Sequence, residues 1–361
     1  MAHSDVAPSM AMIARRAGVA KSTVSMALRN DPAISERQRI RIQKIATKMG
    51  YRTNALVARL MQELRASRKR RYVATLAFVD ASINNPKHVK TPSLITDLRA
   101  GAEARAAQLG YGVDYFWLHD PGITPERLAK IFRTRNIHGV AIYSIDKEVE
   151  SLLPKYEPVW SQFPVLTIGS RNQLLPFHFV CNDQYSTAFQ GCARLLSLGY
   201  RRVGLYQLRW HDAALEHRFV AGYQTCINQA GLEAIPVFYL DQPRYNIQKT
   251  YSGGKNAFAC WVSDNRLDAV LAINSWIFEW MSDLKLRMPE DLGVALLDLP
   301  KELRGKVAGM EQRAEWVGMS VVDALIGQIL RHESELPAFQ RGTIIESTWV
   351  DGATVRSQPS R

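Results

Sequence analysis

The sequence predicts an α/β protein in which a small helical domain precedes a two-lobed body built from two doubly wound parallel sheets. Two short helical patterns joined by a tight turn open the chain, and a third helical pattern follows them. From residue 72 onward, short β-branched runs alternate with longer amphipathic stretches, which is typical of parallel strands and crossover helices. The same alternating order occurs twice along the chain, so we expect two similar lobes with a cleft between them.

The most informative segment spans residues 8–30 and reads PSMAMIARRAGVAKSTVSMALRN. Gly18 lies at the break between the two helical patterns, where a residue that tolerates positive φ is needed. Two helices joined by a turn of fixed size form a helix-turn-helix, and the alternative is an ordinary helical hairpin with a solvated face. The shared core of the pair is predicted to consist of Ile13, Ala14, Ala17, Val24 and Leu28.

The second helix of this pair has the side chains expected of a helix that reads DNA. Lysine donates to guanine acceptors or to phosphate, hydroxyls bond phosphate oxygens, and methionine covers a thymine methyl group. Such residues act near the N-terminal end of a recognition helix. The predicted outer surface comprises Lys21, Ser22, Thr23, Ser25 and Met26.

A third helix completes the first domain, residues 1–50. We expect Ser35 to cap this helix, with Gln38 at the capping-box position and Gly50 at its end. Residues 51–71 have helical propensity and end in a basic run, so they are predicted to form a hinge helix and linker. The rest of the chain, residues 72–361, is predicted to form the two-lobed body.

The excess positive charge is confined to the N-terminal fifth of the chain. Residues 1–71 contain 16 Lys and Arg against 4 Asp and Glu, a net charge of +12, and the remainder is neutral overall. A basic cluster of this kind neutralises phosphates and releases counterions on binding DNA. A solvated tail would carry the charge without helical periodicity, and a membrane-surface helix would need a wide apolar stripe. The charge therefore favours nucleic acid as a partner.

Breaks in the alternating pattern divide the body into an N-lobe of about 72–172 and 310–340 and a C-lobe of about 173–309 and 341–361. Ligands of open α/β sheets bind beyond the carboxyl ends of the strands, so the cleft is the expected pocket. The strand-like runs are YVATLAFV, GVDYFWL, HGVAIYSI, FPVLTIG, RRVGLYQL, IPVFYL, LDAVLAI and DLGVALLDL. Helices are predicted at about 94–109, 124–136, 184–199, 213–231, 251–265, 276–287 and 314–333.

Composition argues against several other classes of protein. The start of the chain lacks an apolar signal region, and no uncharged apolar run is long enough to span a membrane, so a cytoplasmic, nucleoid-associated protein is expected. The four cysteines form no CxxC pair and are expected to be free buried thiols, and neither a metal nor a cofactor is expected. An α/β enzyme is disfavoured because GxGxxG, GxxxxGK[ST], GxSxG and HExxH are absent. His211 and His217 are expected on a helix surface or in a loop.

The segment AGVAKSTVSMALRN is similar to AGVSxxTVSRVLN of the lactose/galactose-repressor (LacI/GalR) family of bacterial transcription regulators, and MGYRTNALVARL is similar to the family's LGYxPNxxARxL. Further along, LGYRRVGLY, RFVAGYQ, DAVLAIN and MPEDLGVALLD resemble LGHRRIAxx, RxxGF, DAVxxAN and VPEDIAVVGFDD in the same order. The resemblance covers essentially the full length. It implies a periplasmic-binding-protein-like body behind the helix-turn-helix domain.

The resemblance also implies a homodimer whose paired headpieces read a pseudopalindromic operator. Lys21, Ser22 and Met26 match base-reading positions, and Leu60 matches a leucine that is inserted between base steps in the minor groove. The alternative for Leu60 is packing against its dimer partner. The other matched DNA-contact positions are Ser9, Thr23, Ser25 and Asn54.

In the cleft, the resemblance places Arg218, Asn274 and Asp298 at positions that bind a small effector, usually a sugar or nucleobase, with Asp80 and Gln312 as further candidates. Arg218 stands four residues before Gly222, where the family usually has three. The implied function is a repressor under allosteric control by a sugar-like molecule. A DNA-binding architectural protein that has lost its effector is the main alternative.

Overall fold

The structure, a computed structural model, describes residues 9–28, 31–49, 51, 74–82, 93–143, 152–170, 175–241 and 247–358. Its N-terminal part, residues 9–49, contains three helices and is called the headpiece below. These helices are α1 (Met10–Ala17), α2 (Lys21–Leu28) and α3 (Glu36–Lys48). The predicted helix-turn-helix is therefore present, and a third helix packs against it.

The turn between α1 and α2 depends on one glycine. Gly18 adopts a left-handed conformation, with φ of 65°, and its N–H donates to the Ala14 carbonyl at the end of α1. The predicted core is confirmed except at the end of α2, where Ala27 is fully buried and Leu28 only partly so. The buried residues are Ile13, Ala14, Ala17, Val24, Ala27, Ile42 and Ala46.

Two side chains of α3 tie the headpiece together. Arg41 donates to the Ala17 carbonyl at 3.2 Å, and the Gln43 amide donates to the Ala27 carbonyl at 2.9 Å. Both bonds satisfy carbonyl groups that the C-termini of α1 and α2 leave without helical partners. Helix α3 therefore fixes the angle between α1 and α2.

The start of α3 differs from the prediction. Ser35 is the N-cap residue, with φ of −56°, but its side chain makes no capping hydrogen bond, so the predicted capping box with Gln38 is wrong. The helix begins instead with Glu36, whose charge is favourable in a first turn. Its last residue is Lys48, with Met49 as C-cap, and Gly50 lies outside the described residues.

The first sheet of the body has the strand order β11-β5-β4-β3-β1-β2, and all of its ladders are parallel. Its strands are β1 (Ala74–Asp80), β2 (Tyr111–Trp117), β3 (Ile137–Tyr143), β4 (Val165–Ile168), β5 (His178–Asn182) and β11 (Gly342–Ile345). The helices of this first lobe are α4 (Ser93–Leu109), α5 (Pro125–Thr134), α6 (Glu157–Trp160) and α12 (Ala314–Arg331).

The second sheet repeats this order as β12-β10-β9-β8-β6-β7, with only β12 antiparallel to its neighbour. Its strands are β6 (Val203–Leu208), β7 (Phe238–Leu240), β8 (Ala269–Ala272), β9 (Gly293–Leu296), β10 (Ala308–Glu311) and β12 (Thr348–Val350). The helices of this second lobe are α7 (Gln184–Ser197), α8 (Arg209–Ala214), α9 (Arg218–Gln229), α10 (Ile247–Asp264) and α11 (Trp276–Asp283).

The observed lobes differ from the predicted ones at two edges. Residues 173–182 and 341–345 were assigned to the C-lobe, but β5 pairs with β4 and β11 pairs with β5, so both strands belong to the first sheet. The chain consequently crosses between the lobes at 182–184, 311–314 and 345–348. Four strands were not predicted, β5, β10, β11 and β12. Each has at most five residues, and the tertiary pairing determines its position.

The four cysteines differ in burial. Cys181, Cys192 and Cys226 are buried free thiols as predicted, whereas Cys260 is exposed. Within the described ranges, no helix has the length and apolar character that a membrane span requires.

Helix α12 packs so closely on α4 that one added methyl group is predicted to lower the free energy of unfolding strongly. A Cβ at Gly318 would lie 2.0 Å from the backbone oxygen of Leu98, so Gly318→Ala forces the two helices apart. We expect a destabilisation of about 3 kcal/mol or more. Gly327→Ala on the same helix is the control, because its Cβ would meet only the mobile end of Arg331, and it should stabilise by about 0.5–1 kcal/mol. Urea unfolding followed by circular dichroism measures both, and equal midpoints for the two variants would contradict this packing.

Candidate nucleic-acid interface and interlobe pocket

Helix α2 separates a core face from a solvent face. Val24 and Ala27 are buried against α1 and α3, whereas Lys21 and Ser22 are exposed in the first turn. The other predicted contact residues of this helix, Thr23, Ser25 and Met26, are half-buried. The helix carries no acidic residue in its first turn, so nothing there repels a phosphate. Two of the five predicted surface residues of α2 are therefore exposed, and the other three are partly exposed.

Ser9 lies at the start of α1 and has a structural task there. Its hydroxyl oxygen accepts the Met12 backbone N–H at 3.3 Å, which caps the helix. The hydroxyl hydrogen remains able to donate to a phosphate oxygen. Arg15 and Arg16 are exposed in the last turn of the same helix. Asn54 and Leu60 lie outside the described residues.

A pocket of about 320 Å³ lies between the two lobes, at the carboxyl ends of strands from both sheets. Most of its lining is hydrocarbon or aromatic: Leu94, Ile95, Leu98, Tyr143, Ile168, Leu208, Trp210, Leu215, Phe219, Ile273, Ala314 and Val317. The polar lining residues are Cys181, Asn182, Gln184, His211, Asn274, Asp298 and Gln312. The position agrees with the predicted cleft and with the general location of ligands in open α/β folds.

Three of the five predicted effector residues meet in this pocket, namely Asn274, Asp298 and Gln312. The Asn274 side-chain oxygen accepts the Trp276 backbone N–H at 3.1 Å, so its orientation is fixed. The buried Gln312 amide donates to the Leu297 carbonyl at 2.9 Å, which joins a crossing segment to the end of β9. Both side chains are thereby held in place before any ligand arrives.

Arg218 lies beside the pocket, lining a narrow cleft that shares Cys181 and Gln184 with it. The guanidinium forms an ion pair with Glu216 at 3.1 Å. Arg218 is the first residue of α9, one residue earlier than the family spacing to Gly222 implies. Gly222 itself allows close packing, because a Cβ there would lie 2.1 Å from the Tyr185 carbonyl oxygen.

Asp80 lies at the end of β1 but does not line the pocket. Its carboxylate accepts hydrogen bonds from the Ser82 N–H at 2.9 Å and the Ser82 hydroxyl at 2.5 Å. The same carboxylate lies 3.9 Å from the Arg99 guanidinium. These contacts give Asp80 a local structural role at the edge of the first sheet.

The electrostatics of the pocket centre on Asp298. Its carboxylate forms no hydrogen bond or ion pair with any residue in the described part of the chain. Burial raises the pKa of Asp298 to about 6, since the charged form loses hydration without gaining a partner. At neutral pH the pocket therefore holds a poorly compensated negative charge.

His211 and His217 were expected on a helix surface or in a loop. His217 is exposed just before α9, as expected, whereas the side chain of His211 lines the pocket. His211 follows β6 on the short helix α8, and burial lowers the pKa of its imidazole to about 4, so the ring is neutral at pH 7. Its Nδ1 is buried without a partner among the described residues, as is the amide nitrogen of Asn182. His211 follows a strand and Asn182 ends one. Because ligands of such sheets bind at the carboxyl ends of strands, this position in the sequence could have identified both as pocket residues.

The turn that leads into α9 is held by a buried carboxylate. Glu216 and His217 both have positive φ, an uncommon conformation for residues other than glycine. Asp212 is fully buried and accepts hydrogen bonds from His217 Nδ1 and the Tyr239 hydroxyl, both at 2.7 Å. These bonds fix the turn that positions Leu215 and Arg218 at the pocket.

Two of the three lobe crossings are joined directly by hydrogen bonds. The hydroxyls of Thr187 and Ser347 lie 2.6 Å apart and are buried, and the Asp183 N–H donates to the Ile345 carbonyl. Gln184 donates to the Gly169 carbonyl at 3.0 Å, linking the first residue of α7 to the end of β4. Within the described ranges, no group of three or more His, Cys, Asp or Glu is arranged to hold a metal ion.

Comparisons with known proteins find similarity in the headpiece and in the fold of the body. Residues 9–54 match the family model described as "Bacterial regulatory proteins, lacI family". The HTH-type transcriptional regulator DegA of Bacillus subtilis is 22% identical over 293 residues, which cover 79% of this chain and 80% of DegA.

Solved structures match over nearly the whole chain. The transcriptional regulator CelR in complex with cellobiose gives a TM-score of 0.62 at 18% identity, covering 96% of this chain and 100% of CelR. The lac repressor dimer bound to operator and the anti-inducer ONPF gives 0.57 at 16% identity, covering 97% and 99%. These structures confirm the fold class. Together with the match of the headpiece, they confirm the resemblance to the LacI/GalR family.

The raised pKa of Asp298 predicts how the stability of an Asn variant depends on pH. Above pH 6 the carboxylate is ionised in the folded and unfolded states, so folding includes the full cost of burying a charge. Below its ordinary pKa of about 4 it is protonated in both states, and that cost disappears. Asp298→Asn should therefore gain about 1–2 kcal/mol at pH 7.5, allowing for solvent contact in the pocket, and only a small fraction of this at pH 4.

Thermal unfolding of the variant and the wild type at matched pH values measures this gain. The comparison between proteins is needed because the lowered pKa of His211 makes the wild type itself lose stability as the pH falls from about 6.5 to 4. Asp323→Asn on the exposed surface of α12 is the control, with no comparable gain expected. A gain that is constant from pH 4 to 7.5 would contradict the assigned burial of the charge.

Proposed function

We propose that this LacI/GalR-family transcriptional regulator binds a pseudopalindromic operator as a homodimer, represses transcription, and is controlled by a small sugar-like molecule in the interlobe pocket. The observation that carries the proposal is the presence of both sites in one chain. A helix-turn-helix headpiece with exposed Lys21 and Ser22 precedes a body whose two lobes enclose a preformed pocket. Such a chain has a place to read DNA and a separate place to receive a signal.

The headpiece supports sequence-specific reading of the major groove. Since α2 is anchored by Val24 and Ala27 and by the bond from Gln43, its solvent face is presented rigidly. In the proposed complex Lys21, Ser22 and Met26 contact base edges, and Ser9, Thr23 and Ser25 contact phosphates. The net charge of +12 in residues 1–71 supplies affinity that does not depend on sequence.

The position of the pocket supports allosteric control. A ligand there touches the ends of strands in both sheets, so it favours one relative arrangement of the lobes over another. The first lobe begins at β1, directly after the proposed hinge segment 51–71, and a change in its orientation would alter the distance between paired headpieces. An inducer prefers the arrangement free of DNA and a corepressor the bound one, and operator DNA must change effector affinity by the same factor.

The chemistry of the pocket supports binding over catalysis. Burial raises the pKa of the Cys181 thiol to about 11, so this sulfur is not a thiolate at neutral pH. His211 Nδ1 has no described carboxylate or hydroxyl partner to form a nucleophile–base pair. We accordingly propose a regulator that is not an enzyme and that acts in the cytoplasm, at the nucleoid.

Lys21→Ala tests the proposed reading of bases. If Lys21 donates to a guanine, the variant should lose about 1–3 kcal/mol on the preferred duplex and discriminate less at one position of the site. Fluorescence anisotropy on a panel of duplexes with single-base changes measures this, with Lys130→Ala on the exposed face of α5 as the control. A uniform loss over the whole panel would restrict Lys21 to a phosphate contact.

Leu60→Ala tests the proposed minor-groove wedge. An inserted leucine offsets the cost of unstacking with a larger bent interface, which forms only on the specific site. The variant should therefore lose at least about tenfold in specific affinity and much less in affinity for random duplex. Leu56→Ala, one turn earlier in the predicted hinge helix, is the matched control. Equal losses on both kinds of DNA would contradict the wedge.

A further inference from the structure

We infer that the effector of the interlobe pocket is a small organic amine that binds as an ammonium ion beside Asp298. This inference rests on the proposed function and deepens it, because it assigns the charge of the ligand. Three properties of the pocket support it: the balance of charge, the chemistry of the lining residues and the volume.

The described lining of the pocket carries one charged side chain. Among these residues only Asp298 has a formal charge at neutral pH, and its carboxylate has no hydrogen-bond or ion-pair partner in the described part of the chain. No described lysine or arginine lines the same space. A buried carboxylate without a partner is costly, and a ligand that supplies the missing cation removes that cost.

The arginine that the sequence placed in the pocket does not neutralise Asp298. Arg218 lines the adjoining cleft, and its guanidinium is paired with Glu216 at 3.1 Å. The two positive-φ residues before it and the buried Asp212 hold this turn in place. His211, the other ionisable base at the pocket, is neutral at pH 7. Within the described part of the chain, the negative charge is therefore left for a ligand to balance.

The lining and the volume of the pocket indicate what the rest of the ligand is like. The pocket walls are mainly aliphatic and aromatic, with Tyr143, Trp210 and Phe219 among them, so the body of the ligand should present an apolar face. Asn182, Asn274 and Gln312 add a few directional polar groups. A volume of about 320 Å³ lies at the low end for ligand sites, which fits one ring better than two. Acidic and phosphorylated molecules are excluded by repulsion from Asp298.

Isothermal titration calorimetry at pH 7.5 with the full-length protein tests the inference on two matched sets of probes. One set has a sugar frame, with glucosamine, glucose and glucuronate. The other has a hydrocarbon frame, with cyclohexylmethylamine, cyclohexylmethanol and cyclohexanecarboxylate. In at least one frame the amine should bind at least about tenfold tighter than the alcohol, with the carboxylate weakest. The frame that shows this preference identifies the body of the ligand.

The Asp298→Asn variant should bind the amine and the alcohol of that frame with similar affinity, while Asp323→Asn keeps the preference. The inference is overturned if neither amine binds, if the alcohol or carboxylate binds as tightly as the amine, or if the preference survives Asp298→Asn.

Duplex binding is measured on the same preparations to separate the two proposals. Specific binding of DNA without a preference for the amine removes only the amine assignment. Absence of specific DNA binding, both with and without the preferred amine present, removes the proposed regulator, whatever the ligand preference.

Discussion

The three crossings of the chain between its two sheets are the constraint on which the rest of the body depends. Because the chain passes from one sheet to the other at 182–184, 311–314 and 345–348, the carboxyl ends of both sets of strands face a common space. Buried bonds hold the crossings, including the pair of hydroxyls of Thr187 and Ser347 and the bond from Gln312 to the Leu297 carbonyl. The pocket exists because these segments end strands in both lobes at one place. A ligand that fills it contacts both lobes and the crossings themselves.

Charge is distributed over the chain in a way that suits two separate tasks. The headpiece and the linker carry all of the net positive charge, whereas the described lining of the pocket has one uncompensated carboxylate among apolar walls. The first distribution attracts a polyanion over a long range, and the second selects a small ligand at short range. The fold itself keeps a positive charge away from the pocket. Asp212 fixes the turn before α9, and in that turn Arg218 pairs with Glu216 outside the pocket.

Much of this organisation could be predicted from the sequence, and the failures have physical causes. The alternation of β-branched runs and amphipathic stretches predicts both sheets, and Gly18 marks the turn of the headpiece. The residues that form β5 and β11 were not recognised as strands and were assigned to the wrong lobe, because such short segments carry little periodicity and their partners are set by the crossings. Asn274, Asp298 and Gln312 meet in the pocket because each follows a strand, and His211 was misplaced although it follows one too. Arg218 was expected in the pocket, but a shift of one residue at the start of α9 turns it toward Glu216.

The central claim is that the headpiece reads a specific, two-fold related DNA site. It is tested most directly by selecting bound sequences from a pool of random duplexes with the purified full-length protein at two salt concentrations. The account predicts enrichment of a pseudopalindrome with a flexible central step, with affinity that falls as salt rises. Retention of DNA that depends on salt but enriches no sequence would contradict the account for the protein without ligand, and would mean an architectural binder or a regulator that needs a corepressor before it reads sequence.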